Sequence, residues 1–508
     1  MMMQQHGIGA WVAKRRLKSP DQIAIIHDRS PLTYGQFADA TDRISAVLRE
    51  RGVGKGDPVA YLGENSPELL EVMFAAAQVG AVFVPINTRL AVPEIAYVLA
   101  DCGARVLIHD PDFAVPVAAA VSAARTPYVI VNGDGTADRP GLAHLTRAAG
   151  GLTDHADTTH EDPAAIVYTS GTTGRAKGAV LTHGNLTWVA LNCVVDYDVV
   201  STDVALMISP LFHVASLGMG ALPVILKGAT MVIEKGFEPG RALAQIERYG
   251  VTMLSGVPTT YQLMADHPAW ASTDLSTLTK LTCGGSAVPA RILNAYEARG
   301  LSFSQGYGMT EAAPGATALP PAMTRVKQGS VGLPHFFTDV RITDAAGAVV
   351  PTGVVGEIEV AGPNVFPGYH GLAEATAEAF TADGWFRSGD LGHLDADGYL
   401  YITGRLKDMI ISGGENIYPL ELEQLLTEVD GVTSAAVIGV PDERWGEVPW
   451  AIVTVREGAS VDTATIRAHL DGRIARYKLP KNVVIVDELP RTASGKVRKA
   501  DLRARFGA

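Results

Sequence analysis

The stretch YTSGTTGRAKGAV, Tyr168 to Val180, follows directly on the apolar run Ala164, Ala165, Ile166, Val167. That order reads as a buried strand running into a polar, glycine-rich loop. Glycines let backbone N–H groups approach a ligand closely, and here Gly171 and Gly174 stand among the hydroxyls of Thr169, Ser170, Thr172 and Thr173. Lys177 adds a point charge. Together these residues predict a phosphate site. The Walker A pattern G-x-x-x-x-G-K-S/T is not met, because Lys177 is preceded by Ala176 and followed by Gly178, so a standard P-loop nucleoside triphosphatase is excluded.

On either side of the loop the chain alternates strands and helices. From Asp57, the strand PVAYLG leads into NSPELLEVMFAAAQVG, with an Asn/Ser cap and Pro67 near the first turn, and then into the strand AVFVPIN. The same alternation recurs in YVLADCGARVLIHD, ALAQIERYGVTMLSGVP and ILNAYEARGLSFSQGYG. The fold class expected is α/β with largely parallel sheets, and ligands at the carboxyl ends of the strands. After about residue 330, short alternating strands (VRITD, GEIEVAG, GYLYITG) predict a small β-rich section. Beyond Gly404 come a strand pair, a capped helix, two more strands, a helix near TIRAHLDGRIARY and a basic tail. This reads as a separate α+β domain, with a boundary near Gly404 to Lys407.

The chain has 508 residues, more than one core usually supports. Its 42 Lys plus Arg against 54 Asp plus Glu leave a net charge of −12, with no broad field to attract nucleic acid. An anionic ligand must therefore be held locally. Cys102, Cys193 and Cys283 are far apart and odd in number, which argues against a disulfide scaffold or a zinc site and fits a reducing, cytoplasmic setting. Cys283, beside a glycine pair, reads as a packed side chain rather than a nucleophile. In MMMQQHGIGAWVAKRRLK the basic residues follow the apolar stretch, the reverse of a signal peptide. Val72 to Ile86, interrupted by Gln78 and Gly80, is too short to span a membrane and reads as a helix entering a buried strand.

The loop YTSGTTGRAKG resembles the phosphate loop of the adenylate-forming superfamily, which includes acyl-CoA synthetases, adenylation domains and firefly luciferases. Further stretches resemble the family's other signatures in the family's order: GGSAVP (Gly284 to Pro289), GYGMTEAAPG (Gly306 to Gly315), GWFRSGDLG (Gly384 to Gly392), GRLKDMIISGGENIYP (Gly404 to Pro419) and PRTASGKVRK (Pro490 to Lys499). The resemblance implies a large N-terminal domain, residues 1–404, of two α/β subdomains plus a small β-barrel. It also implies a small, mobile C-terminal α+β domain, residues 405–508. The run LFHVASLGMGALPVILKGAT together with GYGMTEAAPG is most similar to feruloyl-CoA and fatty acyl-CoA synthetases.

The chemistry implied is attack of a carboxylate on the α-phosphate of ATP, with Mg²⁺, to give an acyl-adenylate, followed by transfer of the acyl group to the thiol of coenzyme A. Tyr307, between Gly306 and Gly308, can lie flat on adenine, and Thr310 can donate to the α-phosphate. Glu311 is a hard oxygen ligand suited to Mg²⁺. By resemblance, Gly284, Gly285 and Ser286 border the nucleotide, Asp390 accepts from the ribose hydroxyls, Arg405 meets ribose or phosphate, and Lys407 is the hinge. Lys496 matches the adenylation lysine, whose cation offsets charge developing during attack. Gly413 and Gly414 leave space for a narrow thiol tunnel, although a plain hairpin turn also fits them. His213 reads either as a structural histidine or as the histidine flanking the carboxylate. With Leu217, Gly308 and Ala312 it would line an open apolar pocket. Ala176 stands where the family usually has proline, which loosens the loop. Other readings are loading of an acyl carrier protein, thioesterification of a preformed acyl-AMP, a light-emitting oxygenase or a degenerate nucleotide binder. A homodimer is compatible with the sequence; an integral membrane segment is not expected.

Overall fold

The computed structural model describes residues 7–136, 139–152, 154–169, 175–285, 288–413, 415–456, 458–459, 461–492 and 496–507. The chain forms two compact units, one of residues 1–340 with 360–386 and one of residues 341–359 with 387–508. Residues 341–359 and 387–404 of the β-rich section thus cluster with the C-terminal α+β section, whereas composition marks its boundary near Gly404.

The first unit is α/β, as the alternation predicts. Ser66 caps the helix Pro67–Gln78 by accepting from the Leu69 N–H, and Pro67 occupies the first turn, where a missing N–H costs nothing. The flanking strands Pro58–Leu62 and Val82–Pro85 are parallel neighbours. Their sheet runs in the order Gly368–Tyr369, Lys177–Thr182, Pro163–Thr169, Val82–Pro85, Pro58–Leu62, Val106–His109, Tyr128–Val131. Buried Val, Ile and Leu side chains cover its centre on both faces, as parallel strands require. A second sheet in this unit carries Met253–Gly256, Lys280–Cys283 and Phe303–Gly308 in parallel. There the direction reverses, because Gly315–Leu319 returns antiparallel to Phe303–Gly308 after a tight loop.

The second unit carries the ladder between Phe386–Leu394 and Leu400–Arg405. It also carries a sheet in which Val432–Asp442 and Gly446–Val455 form a long hairpin, and Ile410–Ser412 and Asn482–Ile485 both pair with Gly446–Val455. Three details depart from expectation. Helix Pro419–Thr427 has no side-chain cap and starts instead on Pro419. The helix Thr463–Leu470 stops just before Gly472, which sits at φ +73°, so RIARY is not part of it. The stretch read only as a basic tail contains a helix, Lys499–Phe506, whose Leu502 is buried. Lys499 is paired to Glu423 at 2.7 Å and Arg503 to Asp408 at 2.7 Å. No helix among the described residues is long and apolar enough to cross a membrane.

Candidate active site

In the first unit the site starts from the antiparallel ladder of Pro163–Thr169 with Lys177–Thr182, in which Thr169 pairs with Lys177. The strands on either side of the glycine-rich segment are therefore antiparallel neighbours, whereas a P-loop leads from a strand into a helix. Ser170, Gly171, Thr172, Thr173 and Gly174 lie outside the described residues. At Ala176, where the resemblance leads one to expect proline, the Tyr97 hydroxyl donates to the backbone carbonyl at 3.1 Å. A tertiary contact thus holds backbone that proline would have stiffened from within.

Lys177 Nζ lies 5.1 Å from the centre of the Tyr369 ring, a cation–π distance. Tyr369 is aligned with Ala179 in the short strand Gly368–Tyr369, and its hydroxyl donates to Glu311 Oε1 at 2.8 Å. Burial, then the neighbouring Glu311 carboxylate, pushes the Tyr369 phenol upward, so it remains a donor. Cation, ring and carboxylate are thereby joined through a tyrosine that no sequence motif singled out. Among the described residues no group of three or more His, Cys, Asp or Glu side chains could hold a metal ion. One carboxylate suits a Mg²⁺ that takes its remaining ligands from nucleotide phosphates and water.

Glu311 belongs to the 3₁₀ turn Thr310–Ala312, between the strand ending at Gly308 and the strand beginning at Gly315. The Met309 N–H donates to the Pro314 carbonyl at 3.0 Å, and a Cβ on Gly308 would lie 1.8 Å from that oxygen, so only glycine fits there. Alternation along the strand puts Gly306 and Tyr307 on opposite faces, and the ladder shifts register between Tyr307 and Gly308. The Asn364 side chain donates to the carbonyls of Ala312 at 2.9 Å and Gly315 at 2.8 Å, and accepts from Thr338 at 2.8 Å. Thr338 in turn accepts from Asn192 at 3.1 Å. This buried relay positions the loop that carries Thr310, Glu311 and Ala312.

The segment after His213 forms a π-helical stretch, Ala215–Ala221, a geometry frequent at functional sites. A Cβ on Gly218 would lie 2.5 Å from the Ala313 carbonyl, so glycine lets this segment pack directly on the loop bearing Ala312. Leu217 and Ala312 are both buried, and the His213 ring lies 4.7 Å from that of Phe212. The folding thus brings His213, Leu217, Gly308 and Ala312 to neighbouring segments. Gly284 follows the strand Lys280–Cys283, and a Cβ on it would lie 4.0 Å from the Gly306 carbonyl; Gly285 turns at φ +83°, and Ser286 is outside the described residues. Cys283 is buried, and burial pushes its thiol up, which removes it as a nucleophile.

In the second unit Asp390 and Arg405 are directly cross-strand, with Arg405 Nε 3.0 Å from Asp390 Oδ1. The Asp390 N–H donates to Ser388, whose hydroxyl donates to the Ile358 carbonyl. Lys407 lies in the 3₁₀ turn Leu406–Asp408. Gly413 turns at φ +60°, where a Cβ would lie 2.7 Å from the Trp445 ring; Gly414 is outside the described residues. Lys496 is exposed beside the bridge of Arg491 with Val497, and its N–H donates to the Thr492 hydroxyl at 3.2 Å.

Residues 12–370 match the family of AMP-binding enzymes, and residues 421–496 match the AMP-binding enzyme C-terminal domain. The chain is an AMP-binding enzyme. It groups with the acyl-CoA synthetases of the adenylate-forming superfamily. This AMP-binding enzyme is 49% identical over 512 residues to a feruloyl-CoA synthase of Amycolatopsis, covering 99% of this chain and 100% of that one. It is 37% identical over 503 residues to a long-chain-fatty-acid–CoA ligase of Mycobacterium tuberculosis, covering 99% of each. The ATP-bound crystal structure of MatB from Rhodopseudomonas palustris superposes with a TM-score of 0.90 at 34% identity, covering 98% of this chain and 99% of that one.

Proposed function

We propose that this AMP-binding enzyme is an acid:CoA ligase that activates an apolar carboxylic acid, hydroxycinnamic or fatty, and delivers it to coenzyme A. The observation that carries the reading is the cluster of Lys177, Tyr369 and Glu311 beside the glycine-rich segment, in a chain whose relatives are named CoA synthetases and ligases. In the first step a carboxylate oxygen of the acid attacks the α-phosphorus of ATP, and the bond to pyrophosphate breaks. Lys177 is the cation for the departing phosphates, and Lys496 the one for charge developing at the α-phosphate. Glu311 would hold Mg²⁺, which supplies charge neutralisation on the phosphates. Tyr369, by donating to one oxygen of Glu311, orients the other. In the second step the thiolate of coenzyme A attacks the acyl carbon and AMP leaves. His213, Leu217, Gly308 and Ala312 would receive the acid.

The two steps place different demands on one site, and rotation about Leu406 and Lys407 meets both. Two anchored ends support that pivot. Arg405 is held in a strand ladder with Asp390, and Asp408 is bridged to Arg503 on the last helix. The change in backbone angles is thereby confined to the residues between. The protein acts in the cytoplasm, alone or as a homodimer.

Incubation with ATP, Mg²⁺, coenzyme A and a panel of fatty and hydroxycinnamic acids should yield acyl-CoA and AMP in equal amounts. Acyl transfer only to an acyl carrier protein, or only from supplied acyl-AMP, would overturn the reading.

A further inference from the structure

We infer that Asp196, His335 and Tyr197 form a polar floor to the acid pocket, which selects an aromatic acid bearing ring oxygens over an unsubstituted acid. The inference rests on the ligase reading above and specifies its substrate. His335 follows the strand Ser330–Pro334, and its N–H donates to the Ala316 carbonyl at 3.0 Å. Its side chain is fully buried, and Nδ1 lies 2.5 Å from Asp196 Oδ2, which also accepts from the Phe336 N–H at 3.2 Å. The remaining ring nitrogen, Nε2, is buried without a hydrogen-bond partner. Tyr197, next to Asp196 at the end of the helix His183–Asp196, packs its ring edge-on to His335 at 5.8 Å. Its hydroxyl oxygen is likewise buried without a partner. Buried polar atoms are nearly always paired, so two orphans on touching rings point to a missing ligand.

Both atoms face the segments assigned to the acid. A Cβ on Gly315 would lie 2.8 Å from His335 Nε2 and 3.4 Å from Met219 Cε. Gly315 pairs with Gly308, and Met219 shares the π-helical stretch with Leu217. A Cβ on Gly306 would lie 3.1 Å from the Tyr197 hydroxyl. Gly306 and Tyr307 alternate in the regular part of their ladder, so the Tyr197 hydroxyl stands on the strand face opposite Tyr307.

The chemistry of the pair is specific. With Nδ1–H donating to Asp196, the imidazole presents Nε2 as an acceptor. A phenolic O–H is the matching donor. The Tyr197 hydroxyl, which burial keeps protonated, offers a donor to an adjacent hydroxyl or methoxy oxygen. An alkyl chain or a bare ring would leave both unmet, and sites built to bond a hydroxyl discriminate strongly against the analogue lacking it.

The test compares kcat/KM for acyl-CoA formation from 4-hydroxy-3-methoxycinnamate, cinnamate and octanoate. The wild-type protein should prefer the substituted acid over cinnamate at least tenfold, and His335→Leu and Tyr197→Phe should each reduce that ratio tenfold or more. Tyr197→Phe removes one oxygen atom only, so it reports even where His335→Leu fails to fold. Equal losses with all three acids would mean a structural role and overturn the inference, as would a wild-type protein without the preference. Absence of thioester from every acid would instead remove the ligase reading itself, and the floor with it.

Discussion

A single oxygen atom distinguishes the two jobs of Tyr369. The ring underlies Lys177, while the hydroxyl holds Glu311. Tyr369→Phe keeps the first contact and deletes the second. A hydrogen bond to a charged group is worth roughly 1.5–3 kcal/mol, so kcat/KM for MgATP should fall about 10- to 100-fold with little change in melting temperature. Steady-state kinetics with varied MgATP check this, and an unchanged value would remove Tyr369 from the site. Asn364→Leu should behave oppositely in kind. It strands the carbonyls of Ala312 and Gly315 and the Thr338 hydroxyl, costing stability on the order of 2–3 kcal/mol in denaturant melts before any effect on chemistry is considered. Neither residue announced itself in the sequence. Tyr369 and Asn364 lie more than fifty positions from Glu311 and Ala312, and only the return of the chain along Lys177–Thr182 brings Tyr369 to its partner.

At the scale of elements, two helices bury titratable groups outside the site. In the helix Pro67–Gln78, burial and then Glu68 push Glu71 up to about 8. The unfolded chain ionises this carboxyl near its ordinary value of 4.5, so between about 4.5 and 8 the folded state binds the extra proton. Its contribution to stability is complete below 4.5 and is lost as pH rises through 8. Glu71→Gln should therefore gain melting temperature over wild type at pH 8 and not at pH 4. A gain equal at both values would show that packing, not ionisation, is responsible. The first residue of the helix His183–Asp196 has the reverse sign. Burial lowers His183 to about 4 from 6.5, and its Nδ1 accepts from the Ile8 N–H at 3.3 Å. The unfolded state binds the proton first, so stability is lost as pH falls from 6.5 through 4. Thermal melts across that range should show a slope that His183→Asn flattens.

For the whole molecule, the proposed mechanism assigns the two half-reactions to different residues of the C-terminal section. Lys496→Ala should abolish acyl-AMP formation, at a cost of order 3 kcal/mol or more in the barrier, while supplied acyl-AMP is still converted to acyl-CoA. Gly414→Leu should block thioester formation and leave pyrophosphate release nearly intact. Measuring each half-reaction separately decides the matter: if both variants slow both steps equally, rotation about Leu406 and Lys407 does not operate in this chain.

Local signals carried much of this protein. Strand and helix order, the Ser66 cap with Pro67 in the first turn, the glycine-rich stretch after Thr169 and the six motifs from Tyr168 to Lys499 are properties of neighbouring residues, and neighbours are what a sequence lists. These determined the α/β class and the adenylate-forming resemblance. The tail helix Lys499–Phe506 escaped because its ion pairs with Glu423 and Asp408 come from residues distant in the chain, and without them the segment reads only as a basic tail. For the same reason only the tertiary structure decided that Tyr369 joins Lys177 to Glu311, that Asn364 props the loop, and that Asp196, His335 and Tyr197 meet behind Gly306 and Gly315. A hydrogen bond depends on distances of about 3 Å, and those follow from how sheets and helices stack rather than from spacing along the chain.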